Sequence, residues 1–198
     1  MASEKLKNIF LSASVPLPER DPKYIETADV IAIRDAVIAL AATVLPSHRL
    51  IWGGHPSITP LIHYVMEKLK MDIQNHLWLY QSLFFKDKFI EDNKNFKNIR
   101  YTESQGDIHS SIQLMRNQML SENVFSAAVF IGGMDGIEVE YKMFRENHPE
   151  ALVLPIASTG AATKIVYDNL LPGEFKNERL VKDYGYMSLF QKLLLDKV

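Results

Sequence analysis

The chain has 198 residues, 47% hydrophobic and 23% charged, and its 22 basic and 24 acidic residues leave a net charge of −2. That size and composition fit one globular domain spanning residues 1–198, and the near balance of charge argues against a protein that coats nucleic acid or an anionic membrane. Cysteine is absent, which excludes disulfides, thiolate metal sites and a cysteine nucleophile and fits a reducing compartment.

The opening "MASEKLKNIFLSASVPLPERD" has too short an apolar run for a signal peptide, so the cytoplasm is the expected location. Within it "NIFLSAS" predicts the first strand. The next segment, "ADVIAIRDAVIALAATVL", is broken by Arg34 and Asp35 and falls below the ~20 residues of a membrane span. Its Val30, Ile33, Val37, Leu40, Ala41 and Val44 recur at helical spacing and predict a soluble helix. "RLIWGG" predicts the second strand, and Leu61, Val65 and Leu69 mark the helix after it. Pro60 lacks an N–H and belongs in the first turn of that helix, with Thr59 or Ser57 as N-cap.

"HLWLYQS" is the third strand. The charge-rich "KDKFIEDNKNFKN" that follows is expected to be a solvated loop, and Trp78, Phe84 and Phe85 are expected in the sheet core or an oligomer contact. "NIRYTES" gives the fourth strand, and Ile108, Ile112, Met115 and Met119 give a helical stripe. "SAAVFIGG" and "ALVLPIAS" are the fifth and sixth strands. The helix between them places Ile137, Tyr141 and Phe144 on one face. Further helices are expected over Thr163–Leu171 and in "YMSLFQKLLLDKV".

Apolar runs alternating with helical patterns predict an α/β fold with a mainly parallel sheet and helices on both faces. Such sheets bind ligands beyond the carboxyl ends of their strands. Small and hydroxyl residues recur there: Ser12 and Ser14; Gly53, Gly54, His55 and Ser57; Gly132, Gly133, Asp135 and Gly136; Ser158, Thr159 and Gly160. Each group can offer free backbone N–H donors, and glycine admits a phosphate without a Cβ in the way. The glycines match neither a Walker A loop nor a dinucleotide GxGxxG motif, which disfavours a nucleotide triphosphatase or a nicotinamide dehydrogenase.

Glu140 borders the apolar face of its helix, and Arg116 borders the stripe formed by Ile112, Met115 and Met119. The two read either as an arginine and a carboxylate entering one cleft or as a rim salt bridge. Asp135 reads as the N-cap of its helix or a pocket acid, and Trp52 as a strand-end core residue or a base-stacking ring. His48, His55, His63, His76, His109 and His148 have no metal-ligand spacing, so no metal is expected; His55 is the one placed to contact a ligand.

The order of "IFLSAS", "LIWGGHPSITPLI", "MRNQM", "VFIGGMDGIEVEY" and "PIASTGAAT" resembles the SLOG superfamily over nearly the whole chain. That superfamily unites the lonely-guy (LOG) phosphoribohydrolases, the Smf/DprA domains and nucleotide-sensing domains of bacterial conflict systems, including a Thoeris domain that binds a cyclic ADP-ribose isomer. The resemblance implies a Rossmann-like three-layer sandwich and a nucleotide or nucleotide-derived ligand. It also implies a homo-oligomer; no further cofactor is expected, and the balanced charge leaves no nucleic-acid or membrane partner expected. Arg116 matches the arginine of the LOG Arg-Lys pair, with Asn117 in place of the lysine. Gly132, Gly133, Gly136 and Glu140 match the "PGGxGTxxE" loop if one residue is inserted, and Ile137 replaces its threonine. By resemblance, Arg116 and Glu140 are the candidate catalytic pair. The departures favour binding of a nucleotide-derived signal over hydrolysis of a base–ribose bond.

Overall fold

The computed structural model describes residues 6–198. Its strands are β1 (Asn8–Ser14), β2 (Arg49–Trp52), β3 (Leu77–Ser82), β4 (Ile99–Thr102), β5 (Phe125–Gly132) and β6 (Leu152–Ile156). They form one parallel sheet in the order β4-β3-β2-β1-β5-β6. All six expected strands are present. Strands covered on both faces must be apolar throughout; Ile9 and Phe10 of β1 and Ala127 to Ile131 of β5 are fully buried.

Helices α1 (Pro22–Ile25), α2 (Val30–Val44), α3 (Thr59–Leu69), α4 (Ile108–Ser121), α5 (Asp135–Asn147), α6 (Ala161–Ile165), α7 (Arg179–Lys182) and α8 (Tyr186–Phe190) cover the sheet. The last two expected helices are only partly α-helical: residues Val166–Leu170 and Gln191–Leu195 continue them with π-type hydrogen bonding. Helices α3 and α8 each pack against α2, while α4 packs against α5. Asp29 caps α2 and Asp107 caps α4, each carboxylate accepting a first-turn N–H at 2.9 Å.

Aromatic packing fixes α5. The Phe10 ring of β1 stacks on Phe144 with centroids 5.7 Å apart, and Phe125 and Phe130 close around the pair. Glu140 lies one turn before Phe144, so this contact sets where its carboxylate stands. The strand order supplies the rest of the geometry. Connections from β1 step outward to β2, β3 and β4, whereas β5 returns to the other side of β1. The reversal between β1 and β5 is the point at which open α/β sheets leave a crevice.

Candidate functional site

A cleft of about 570 Å³ opens at this reversal and runs over the carboxyl ends of β1 and β2 to β3, a size typical of small-molecule sites. Ser12, Ser14, Gly53, Gly54, His55, Arg116, Asp135, Gly136 and Glu140 all line it. Ser57, Gly132, Gly133, Ser158, Thr159 and Gly160 are not among its lining residues.

At the β1/β5 end a chain of polar contacts crosses the cleft. Arg116 Nε donates to Glu140 Oε1 at 2.9 Å, and the Ser12 hydroxyl donates to Glu140 Oε2 at 2.5 Å. The Arg116 and Glu140 side chains are 15% and 16% exposed, so this is a shielded pair in the cleft wall rather than a rim salt bridge. Both carboxylate oxygens are therefore occupied. A true rim pair lies nearby, where Arg20 approaches Asp135 at 3.5 Å with both side chains more than half exposed, and it adds little stability. Asp135 is the first residue of α5 and does not cap it; the N-cap is Met134, with no side-chain cap bond. Among the described residues, the amides of Met134, Asp135 and Gly136 have no acceptor. They stand at the positive end of a 13-residue helix and suit an anion.

The second diglycine acts behind the wall. Gly132 N–H donates to Thr159 Oγ1 at 2.9 Å, Thr163 Oγ1 donates to the Gly132 carbonyl at 2.8 Å, and Gly133 N–H donates to the Ser14 carbonyl at 2.8 Å. Both glycines have positive φ. Their amides are committed to the fold, and Thr159 holds the loop instead of facing the cleft. Ser158 bonds to the Tyr186 hydroxyl, and a Cβ on Gly160 would stand 1.7 Å from the Thr27 carbonyl oxygen. The physical reason is strand order: β6 lies beyond β5, so its end abuts the start of α2, where Asp29 N–H donates to the Thr159 carbonyl.

The first diglycine loop also departs from expectation. Neither Thr59 nor Ser57 caps α3, whose N-cap is Ile58 without a side-chain bond. A turn ahead of the helix brings the His55 carbonyl to the Ile58 and Thr59 amides. Those amides are consumed, which closes the α3 terminus as an anion site. Thr59 is fully buried and accepts the Trp52 indole N–H at 3.1 Å. Trp52 is thus a core residue, though part of its ring borders the cleft. Ser57 accepts the Val15 N–H and contacts His55 Nδ1 at 2.8 Å.

His55 Nδ1 also accepts the Ser57 N–H at 3.3 Å, so its ring proton resides on Nε2. Burial pushes its pKa below the usual histidine value against the opposing field of Glu140. The ring is a neutral donor in the cleft.

The wall beyond β3 was not expected from sequence. Residues Leu83–Lys88 and Glu91–Asn95 form two 3-10 segments, and Phe85, Lys88, Phe89, Ile90 and Asn93 face the cleft beside Gln81 and Ser82. The polar connection is therefore no solvated loop, and Phe85 lines the cleft rather than the sheet core. Its signal was the recurrence of Phe85, Phe89, Asn93 and Phe96 every three to four residues beneath the charges.

Among the described residues, no three His, Asp or Glu side chains gather to hold a metal, and no helix is long and apolar enough to cross a membrane. What the cleft offers is an arginine and free amides at one end, an apolar and amide-bearing wall at the other, and the neutral His55 between, with His109 also in its lining.

No curated protein matches the chain. A solved structure, the X-ray structure of the structural genomics target TM1055, aligns with a TM-score of 0.59 at 16% identity, covering 88% of this chain and 89% of that one; the likeness is one of fold. The profile of the SLOG cluster3 family matches residues 23–194. With the match covering most of the chain, from α1 through strands β2 to β6, the chain belongs to the SLOG cluster3 family.

Proposed function

We propose that the chain binds a nucleotide or a nucleotide-derived signal, of the ADP-ribose or cyclic ADP-ribose kind, across the carboxyl ends of its strands. In this reading it acts as a cytoplasmic sensor in a bacterial anti-phage system and assembles as a homo-oligomer. The observation that carries the proposal is the cleft at the β1/β5 reversal, with Arg116 and unpaired α5 amides at one end. Phosphate goes to those amides and to the Arg116 guanidinium edge left free by Glu140. Ser12, Ser14 and His55 offer polar contacts along the floor, and Gly53, Gly54 and Gly136 keep it open. Gly132, Gly133, Ser158, Thr159 and Gly160 shape the loop from behind, and Ser57 orients His55. SLOG membership supports a nucleotide-related ligand at the family level. Calorimetry with a panel of nucleoside mono- and diphosphates, ADP-ribose and its cyclic isomers tests the proposal. Micromolar binding of at least one is the expected result, and no binding by any at millimolar concentration overturns it.

The second reading is a LOG-like N-glycosidase that hydrolyses a nucleoside monophosphate to base and ribose 5-phosphate. It draws on the convergence of Arg116 and Glu140 in the cleft. Glu140 would stabilise positive charge developing on the ribose ring or orient water. Its occupied carboxylate oxygens favour the binding role, since a ligand must first displace Ser12 or Arg116. Release of base from AMP, abolished by Glu140→Gln, would place hydrolysis first.

A further inference from the structure

Resting on the nucleotide reading, we infer that Asn93 and Gln81 are specificity-determining residues that select a base carrying an exocyclic amine, adenine or cytosine, over one carrying a carbonyl there. Asn93 is only 5% exposed and lines the cleft, yet its carboxamide makes no hydrogen bond to any described residue, and Oδ1 is fully shielded. Buried amides are almost always paired within the protein. With Oδ1 shielded, the Nδ2 end is the one left to donate to something that enters the cleft.

Gln81 resolves which edge enters. Its Nε2 donates to the Gly54 carbonyl at 3.0 Å; only the amino end can do so, and the acceptor Oε1 is left as the free end. Gly54 makes this possible, because a Cβ there would stand 1.7 Å from Gln81 Nε2. An immobilised acceptor calls for a donor on the ligand. An asparagine carboxamide alone can turn over to suit either a keto or an amino base; Gln81, in the lining of the same cleft, removes that freedom. An amine with its adjacent ring nitrogen is the edge that an acceptor and a donor, here Gln81 Oε1 and Asn93 Nδ2, meet together.

The surroundings fit the same group. Phe85, Phe89, Ile90 and Met115 provide apolar surface for the faces of a planar ring. Four of the five charged side chains lining the cleft, Arg20, Arg116, Asp135 and Glu140, stand at the β1/β5 end. Strand β1 is two strand spacings from β3, about 10 Å, roughly the reach from a nucleotide's phosphate to its base. The fifth, Lys88, is exposed.

Calorimetry of the full chain with AMP against IMP, and CMP against UMP, tests the inference. The amino member of each pair is expected to bind about tenfold or more tightly. In Asn93→Ala that ratio falls to within about twofold, whereas the thermal midpoint stays or rises, because no protein hydrogen bond is removed. Equal affinities within both wild-type pairs overturn the inference and leave the nucleotide reading standing. Failure of all four to bind, with the wider nucleotide panel also silent, overturns that reading first. A variant that melts well below wild type while wild type shows no preference assigns Asn93 to the fold and overturns its recognition role.

Discussion

Arg116 reaches Glu140 by passing over the bare Cα of Gly136: a β-carbon there would stand 2.7 Å from Arg116 Nη2. Gly136 has no positive φ, so its need for hydrogen at this position comes from the guanidinium and not from the backbone. Gly136→Ala adds about 1 kcal/mol of helix propensity to α5 while pushing Arg116 aside. The expected outcome is a thermal midpoint within a few degrees of wild type and loss of the exchange-protected Arg116 Nε–H resonance by NMR. An unchanged resonance would show that Arg116 has room to spare.

The pair itself is coupled. Arg116 and Glu140 are shielded enough that removing either leaves a charge without its partner in a low-dielectric wall. Arg116→Ala and Glu140→Ala are each expected to cost about 1–3 kcal/mol. The double variant should cost less than the sum by about 1–2 kcal/mol. Urea denaturation of the four proteins gives that interaction energy, and strict additivity would mean the pair is solvated like the Arg20–Asp135 contact.

The sheet was legible because buried parallel strands leave an unmistakable trace: "SAAVFIGG" has no polar residue except Ser126 and sits between caps and turns. Arg116 and Glu140 were legible as borders of apolar stripes, although the sequence left open whether they met. Two parts of the site were not. Residues 83–96 repeat inward-facing side chains every three to four positions, but the lysines and aspartates between them face solvent and mask that recurrence. Ser158 to Gly160 follow a strand, as the other small-residue loops do, but only the spatial order of strands reveals that β6 lies outside the reversal. A single sequence carries the ends of strands without their neighbours. Of the hydroxyls of that loop, Thr159 accepts the Gly132 N–H and Ser158 pairs with Tyr186.

The Trp52–Thr59 bond ties the end of β2 to the start of α3 in a fully buried setting. Thr59→Val keeps the shape of the side chain and removes the acceptor, which strands the indole N–H. A loss of about 1–3 kcal/mol is expected, read by chemical denaturation. Because Trp52 also borders the cleft, its fluorescence should shift in the folded variant. A stability equal to wild type would mean that the indole has found another acceptor.

His55 makes stability depend on pH with a definite sign. Its folded pKa is lowered by burial from the unfolded value of 6.5, so between the two values the unfolded chain binds more protons than the folded one. Stability therefore rises with pH through that window. The contribution is fully present above pH 6.5 and is lost as pH falls through the lowered folded value, where the ring must charge inside the cleft. The acceptor role of Nδ1 toward Ser57 points the same way, since a protonated ring would set a donor against the Ser57 N–H. Urea unfolding at pH 7.5 and at pH 5.5 should show a smaller free energy at the lower pH. His55→Asn should reduce that difference, because an amide can accept the same N–H without titrating. If the variant and wild type lose stability equally between the two conditions, the pH dependence arises from groups outside the cleft.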